Sequence, residues 1–300
     1  MKRIVVLGST NTDMVVKAAH IPAPGETILG GDFLMNPGGK GANQAVAAAR
    51  LGGDVTFIAK VGDDLFGREA KALFAKEDIN VEHVFTDAEK PSGVALIMVS
   101  AAGENSISVA LGANGTLSPS DIAAARDGIE GAGALLMQLE TPVETILCAA
   151  QWASAKGVPV ILNPAPACEL PDALFPCLSM ITPNETEAEM LTGVRVADEA
   201  TAEAAAKALC AKGVGRVIIT LGAKGAFVYD GSNGELIPAF PVEAMDTTAA
   251  GDVFNGALVV ALTEGRALDE AVVFASKAAS ISVTRMGAQA SVPYRAEVVM

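Results

Sequence analysis

Asp246-Thr247-Thr248-Ala249-Ala250-Gly251-Asp252-Val253-Phe254-Asn255-Gly256 sets a run of small residues, with an acid on either side, ahead of a long apolar segment. That segment, 253–264, reads as a helix. The first turn of a helix has backbone N–H groups without intrahelical partners and carries the positive end of the helix dipole, so it attracts anions. Ala249, Ala250 and Gly251 are small enough to let a phosphate approach those N–H groups. Asp252 would stand beside the phosphate, placed to take a proton from an attacking hydroxyl. An anion cradle with an adjacent base suits phosphoryl transfer. The same spacing also suits a plainer arrangement, with Asp246 as an N-cap and Asp252 as a first-turn acid. Spacing alone does not separate the two.

A second Gly-rich element lies upstream. Asn36-Pro37-Gly38-Gly39-Lys40-Gly41-Ala42-Asn43-Gln44-Ala45 opens a helix expected over 42–51. Gly38 and Gly39 permit close backbone approach to a ligand, and Asn43 projects a carboxamide from the first turn. The pattern is not a Walker A loop, because no Ser or Thr follows the Lys and the upstream Gly is misplaced. By itself it is an ordinary Gly-rich turn before a helix.

Around these elements the chain alternates. Continuous apolar runs at 3–8, 55–61, 134–139, 158–163, 180–182 and 216–221 read as buried strands. Helical periodicity is expected at 66–77, 119–128, 143–156, 185–192, 201–212, 251–264 and 268–284. Such alternation predicts an α/β fold with a mainly parallel sheet covered on both faces. Two segments break the rhythm. Residues 12–35 carry an alternating apolar stretch with Pro-Gly punctuation. Residues 92–109 read as a hairpin, with strands 93–100 and 105–109 around a turn at 101–104. These short strands predict a small separate antiparallel sheet, a lid, inserted into one domain of residues 1–300. No linker or internal repeat interrupts it.

Composition narrows the function. Apolar residues make up 51% and aromatics 4%, so the core is built from Val, Ile, Leu and Ala. A net charge of −14 argues against nucleic acid and anionic membranes as partners. An anionic nucleotide must then be held by local dipoles, Lys and metal ions. The four cysteines, Cys148, Cys168, Cys177 and Cys210, lack metal-ligand spacing and read as reduced, mostly buried thiols of a cytoplasmic protein. The two histidines, His20 and His83, belong to no ligand cluster, which disfavours a zinc site or a Ser-His triad. The apolar run 4–7 is too short for a signal peptide, and no segment approaches the ~20 apolar residues of a membrane span.

Both Gly-rich elements match the ribokinase (PfkB-type) family of carbohydrate kinases. Between them Gln138-Leu139-Glu140, Asn163-Pro164-Ala165-Pro166, Thr182-Pro183-Asn184-Glu185-Thr186-Glu187 and Thr220-Leu221-Gly222-Ala223-Lys224-Gly225 follow in the family's order. The chain resembles that family from Ile4 to about Arg295. The resemblance implies a ribokinase-like three-layer sandwich with a β lid over a sugar site, and ATP as phosphoryl donor.

Site residues follow from the same match. Asn11, Asp13, Gly39, Lys40, Asn43, Glu140 and Asp252 would contact the sugar. Asp252 would be the base, beside an anion hole of Ala249, Ala250 and Gly251. Asn184, Glu187, Thr220, Gly222, Gly225, Gly251 and Ser276 would serve the nucleotide, with Mg²⁺ held near Glu187. A monovalent cation such as K⁺ would be held by Asp246, Thr248, Ser282, Arg285, Gly287 and Ser291. Family members also pair through their lids, which implies a homodimer.

The motifs favour D-ribose, phosphorylated at its 5-hydroxyl. A phosphosugar would want Arg or Lys in the lid, and 93–109 holds neither. The alternatives are another family substrate (deoxyribose, fructose, a keto-deoxy sugar acid or a nucleoside) or a non-catalytic sugar-responsive binding protein. Without the resemblance, Asn11 and Asp13 would pass for Asx turns and Glu140 for a helix cap.

Overall fold

The computed structural model describes residues 2–299. Among these, the elements in chain order are β1 (Ile4–Leu7), β2 (Asn11–Ala18), β3 (Phe33–Gly38), α1 (Lys40–Arg50), β4 (Val55–Gly62), α2 (Leu65–Lys76), β5 (Val84–Asp87), β6 (Gly93–Ser100) and β7 (Asn105–Ala110). Then come α3 (Pro119–Ala124), α4 (Arg126–Glu130), β8 (Ala134–Met137), α5 (Val143–Ala155), β9 (Val160–Leu162), β10 (Met180–Ile181), α6 (Glu185–Thr192) and α7 (Glu199–Ala211). The chain closes with β11 (Arg216–Thr220), β12 (Ala226–Tyr229), β13 (Gly234–Ile237), α8 (Ala250–Thr263) and α9 (Leu268–Ser282).

The larger sheet has nine strands in the order β13-β12-β11-β10-β9-β8-β1-β4-β5. Its pairs from β11 across to β5 are parallel, as the continuous apolar runs imply. Side chains alternate between two cores. Ile4, Val6, Phe57 and Leu136 pack with α1, α8 and α9. Val5, Leu7, Ile58 and Leu135 pack with α3, α4, α5, α6 and α7. Each central strand is therefore apolar on both faces, and helices cover both.

Three strands escape the periodic reading. β5, β12 and β13 have four residues each. β12 and β13 form an antiparallel edge hairpin around Asp230-Gly231-Ser232-Asn233, a turn signal that marks the hairpin in hindsight. The single helix expected at 119–128 is two. Ser118 and Asp121 cap α3 reciprocally, and the chain turns at Ala125 so that Ile122 and Ile129 bury in one core. The four cysteines are half-buried rather than buried.

The smaller sheet has the order β3-β2-β6-β7. β2–β3 and β6–β7 pair antiparallel, but β2 and β6 run parallel, from Asn11 opposite Gly93 to Ala18 opposite Ser100. This corrects the expected all-antiparallel lid. Both strands leave the body from one place and run outward together, and the connection through α1, β4, α2 and β5 is long enough for a parallel crossover. Register sorts the lid faces. Asp13, Val15, Leu34, Ala95, Ile97, Ile107 and Val109 share one; Met14, Phe33, Met35 and Leu96 share the other.

Candidate active site

The two Gly-rich elements meet because glycines let their helices touch. A Cβ on Gly256 of α8 would lie 2.6 Å from Ala47 Cβ and 2.8 Å from Gln44 O of α1. A Cβ on Gly41 would lie 2.6 Å from Gly8 C, which seats the start of α1 on the end of β1. The helix N-termini therefore converge at the C-terminal end of the parallel strands, where open α/β sheets place ligands.

Asp252 lies buried at that junction. Its Oδ2 accepts from Asn43 Nδ2 and its Oδ1 from Gln44 Nε2, each at 2.9 Å. Burial pushes its carboxyl above the usual range, while Lys40 and the two amides oppose that. Ahead of it, Ala249 adopts φ 60°, ψ 12°, the left-handed region that a non-glycine residue enters at a cost. This turn starts α8 abruptly. The Ala250 N–H lies 3.2 Å from Thr247 O, a turn bond that a bound anion would share. A Cβ on Gly251 would meet nothing within 4 Å, so the first turn opens onto free space.

On the lid side, Asn11 and Asp13 lie on β2 rather than in Asx turns. Gly38 makes room for Asp13: a Cβ there would lie 2.2 Å from Asp13 Oδ2. Gly39, at φ +89°, crosses 2.8 Å from Asn11 N by the same measure. Burial, then the nearby charges of Glu140 and Asp252, raise the Asp13 carboxyl to about 6. Glu140 does not cap α5, whose N-cap Pro142 receives no side-chain bond. Its Oε2 instead accepts from Ser9 Oγ at 2.5 Å and from the Lys40 N–H at 3.0 Å. Asn43 Oδ1 is buried without a partner, as an acceptor awaiting a ligand hydroxyl would be.

On the far side, Asn184 and Glu187 cap α6 reciprocally, each side chain accepting the other's backbone N–H at 2.8 Å. Glu187 is buried, which raises its carboxyl; Lys40 opposes that and Asp252 adds to it. Thr220 pairs beside Asn184, its N–H on Pro183 O at 2.9 Å. Gly222 has φ +56° and open surroundings. Gly225, at φ +114°, is needed for the protein's own packing, since a Cβ there would fall 2.0 Å from Ile237 O. Ser276 sits half-buried on α9.

Of the residues expected to hold a monovalent cation, Asp246, Thr248 and Gly287 meet where 245–248 packs on the turn after α9, while the Arg285 side chain pairs with Glu297. Asp246 accepts from Thr248 N–H at 2.9 Å and Gly287 N–H at 2.8 Å. Burial alone would raise its carboxyl, but these bonds hold it below the usual value. Met245 and Asp246 N–H groups reach Val283 O at 2.7 and 3.1 Å. Ser282 and Ser291 are fully buried, their hydroxyls turned to Ala279 O and Ala288 O.

Sequence reasoning passed over several polar residues that hold this site together. Asn114, fully buried, donates to Thr10 O and Asn11 Oδ1 and accepts from Thr10 N–H. Gln44, Gln138, Asn163, Thr182 and Asn255 run from Asp252 round to Gly251 O. The available signal was a set of amides at strand ends and in helix first turns, where an apolar residue would pack better.

The pfkB family carbohydrate kinase model matches residues 1–295. The chain is 50% identical to a ribokinase from Haemophilus influenzae, over 99% of this chain and 97% of that protein. Among solved structures it superposes on a ribokinase from Thermotoga maritima at 39% identity and TM-score 0.92, covering 99% of this chain and 98% of that one. An Arabidopsis thaliana ribokinase complexed with ribose and ATP gives TM-score 0.93 at 32% identity, covering 99% and 97%. Matched end to end by the family model and by half-identical sequence, the chain belongs to the pfkB family of carbohydrate kinases.

Proposed function

We propose that the protein transfers the terminal phosphoryl group of ATP to the 5-hydroxyl of D-ribose, giving D-ribose 5-phosphate and ADP. The observation that carries this reading is Asp252: a buried carboxylate, held by two amides, at a helix start that opens onto free space. In the reaction Asp252 takes the hydroxyl proton as the sugar oxygen bonds to phosphorus and the bond to the ADP oxygen breaks. The first turn of α8, with Gly251 at its centre, faces the transferring phosphate and stabilises its charge without reorganising.

Asn11, Asp13, Asn43 and Glu140 supply both donors and acceptors, which a polyol site needs in order to prefer sugar to water. The lid carrying Asn11 and Asp13 is an insertion in one domain, and its closure over the sugar limits loss of phosphoryl groups to water. Lys40 would contact the sugar, with Thr220, Gly222 and Ser276 along the nucleotide. Among the described residues no cluster of three or more His, Cys, Asp or Glu could hold a metal. Mg²⁺ would be held near Glu187 and Asn184, through water, and would supply charge neutralisation to the phosphates. The oxygen donors around Asp246 fit K⁺, which would steady the turn ahead of α8.

The lid also supports a homodimer. Ile107 is 55% exposed on the Asp13 face, which also carries exposed Val109 on β7 and, at the opposite edge of the sheet, exposed Leu34. An uncovered apolar sheet wants a partner. Among the described residues no helix is long and apolar enough to cross a membrane, and a cytoplasmic place is part of the proposal.

The test is ADP release with a panel of pentoses, hexoses and nucleosides. D-Ribose should give the highest kcat/KM; a nucleoside or hexose winning instead would overturn the substrate. Ile107→Asp should give monomers with weakened ribose binding, and a monomeric, fully active wild type in light scattering would refute the interface.

A further inference from the structure

Asp252 is surrounded by groups that disfavour its ionised form. Burial disfavours the charge, and Asp13, Glu140 and Glu187 all lie close enough for their charges to interact with it. Lys40 is the one cation among the groups acting on it. A base must nevertheless be ionised before the sugar arrives. We propose that Gln44 is a positioning residue that holds Asp252 as an ionised acceptor, with its amide orientation fixed from the far side by Asn163. The inference rests on the kinase reading above.

Amide ends cannot be told apart by shape, but this chain of bonds starts from a group whose role is fixed. The Thr182 backbone carbonyl can only accept. Asn163 therefore presents Nδ2 to it, at 3.2 Å. That turns Asn163 Oδ1 toward Gln44, which must meet it with Nε2, at 3.0 Å. The same Nε2 reaches Asp252 Oδ1 at 2.9 Å. Gln44 Oε1 is left facing Gln138 Nε2, at 2.5 Å.

Asp252 Oδ1 thus always faces an N–H, while Asn43 gives Oδ2 its own donor. Donors on both oxygens favour the carboxylate over the acid. Gln44 is fully buried, so water cannot take its place. Asn43 has a second task, because its Oδ1 is free for a ligand, whereas both ends of Gln44 are spent on orientation. That separates a residue that binds from one that only positions.

The experiment measures kcat/KM for ribose against pH at saturating ATP, which reports the sugar-free enzyme, for wild type, Gln44→Met and Gln44→Glu. The second variant is nearly isosteric, so it keeps the fold if the first does not; circular dichroism checks both. Losing one hydrogen bond to a charge should move the acid limb of the Gln44→Met profile upward by about one pH unit. Gln44→Glu should move it further, because two carboxyls at hydrogen-bond distance share a proton. The KM for ATP should not change. Limbs that coincide with wild type in both variants, even with lower kcat/KM throughout, would make Gln44 merely structural and overturn the proposal. A wild type that phosphorylates no sugar would instead remove the kinase reading on which the proposal rests.

Discussion

Asp13→Asn should make the sugar-free protein more stable while weakening ribose binding. Asp13 has no compensating cation in hydrogen-bond contact among the described residues, and Glu140 and Asp252 crowd it. Burial and those charges raise its carboxyl from 3.8 to about 6. At about 1.4 kcal/mol per pH unit, that shift corresponds to an upper figure of about 3 kcal/mol. Asp13 is not fully buried, and pocket water screens it, so about 1–2 kcal/mol is expected.

The sign follows from proton uptake. Between pH 4 and 6 the folded protein holds this proton more readily than the unfolded chain. Stability is therefore lost as pH rises through that window, and the deficit is complete above it. At pH 8 the Asn variant should melt higher by about 2–5 °C. Near pH 4 the difference should vanish. The ribose KM should rise by about tenfold, as a charge-assisted hydrogen bond becomes a neutral one. Thermal unfolding at pH 8, 6 and 4.5, with KM measured at pH 8, checks both parts. A variant no more stable than wild type at pH 8, or one whose advantage persists unchanged at pH 4.5, would refute the carboxylate crowding.

Asp252→Asn should lower kcat by about 10²–10⁴-fold while leaving ribose binding largely intact, as loss of a general base does; a variant keeping more than about a tenth of wild-type kcat would remove that role. Asn114→Asp loses the donations to Thr10 O and Asn11 Oδ1 and frees the Asn11 amide to turn. Its ribose KM should rise by about tenfold with kcat changed much less, whereas an equal fall in kcat would tie Asn114 to the chemistry or the fold. Titrating KCl against NaCl at constant ionic strength should raise the rate several-fold, and a flat titration would eliminate the cation site around Asp246.

Much of the molecule was legible because its determinants are local. Apolar runs such as Ile4–Leu7 and 217–219 are buried on both faces, so they announce parallel strands directly. The Gly-rich starts of α1 and α8 were legible because a helix N-terminus and its small residues are neighbours in the chain. The break at Ala125 was missed because a capping box inside a helical run barely disturbs its periodicity, and β5 and β13 because polar residues interrupt their apolar runs, whereas β12 is an apolar run that was passed over. The parallel β2–β6 pair was misread for another reason: strand direction depends on where each strand leaves the body, not on the residues within it.

The electrostatics of the site belong to the tertiary structure alone. Gln44 meets Asp252 across 208 positions of chain, and Asn114 clamps Thr10 across 104. An amide or carboxylate in a sequence carries no record of its partner, and a carboxyl's proton affinity is set by what burial and distant neighbours do to it. The sequence names the groups that do the chemistry. Only packing, through Gly41 and Gly256, brings the helix starts close enough for Asp252 to be buried and still accept hydrogen bonds on both oxygens.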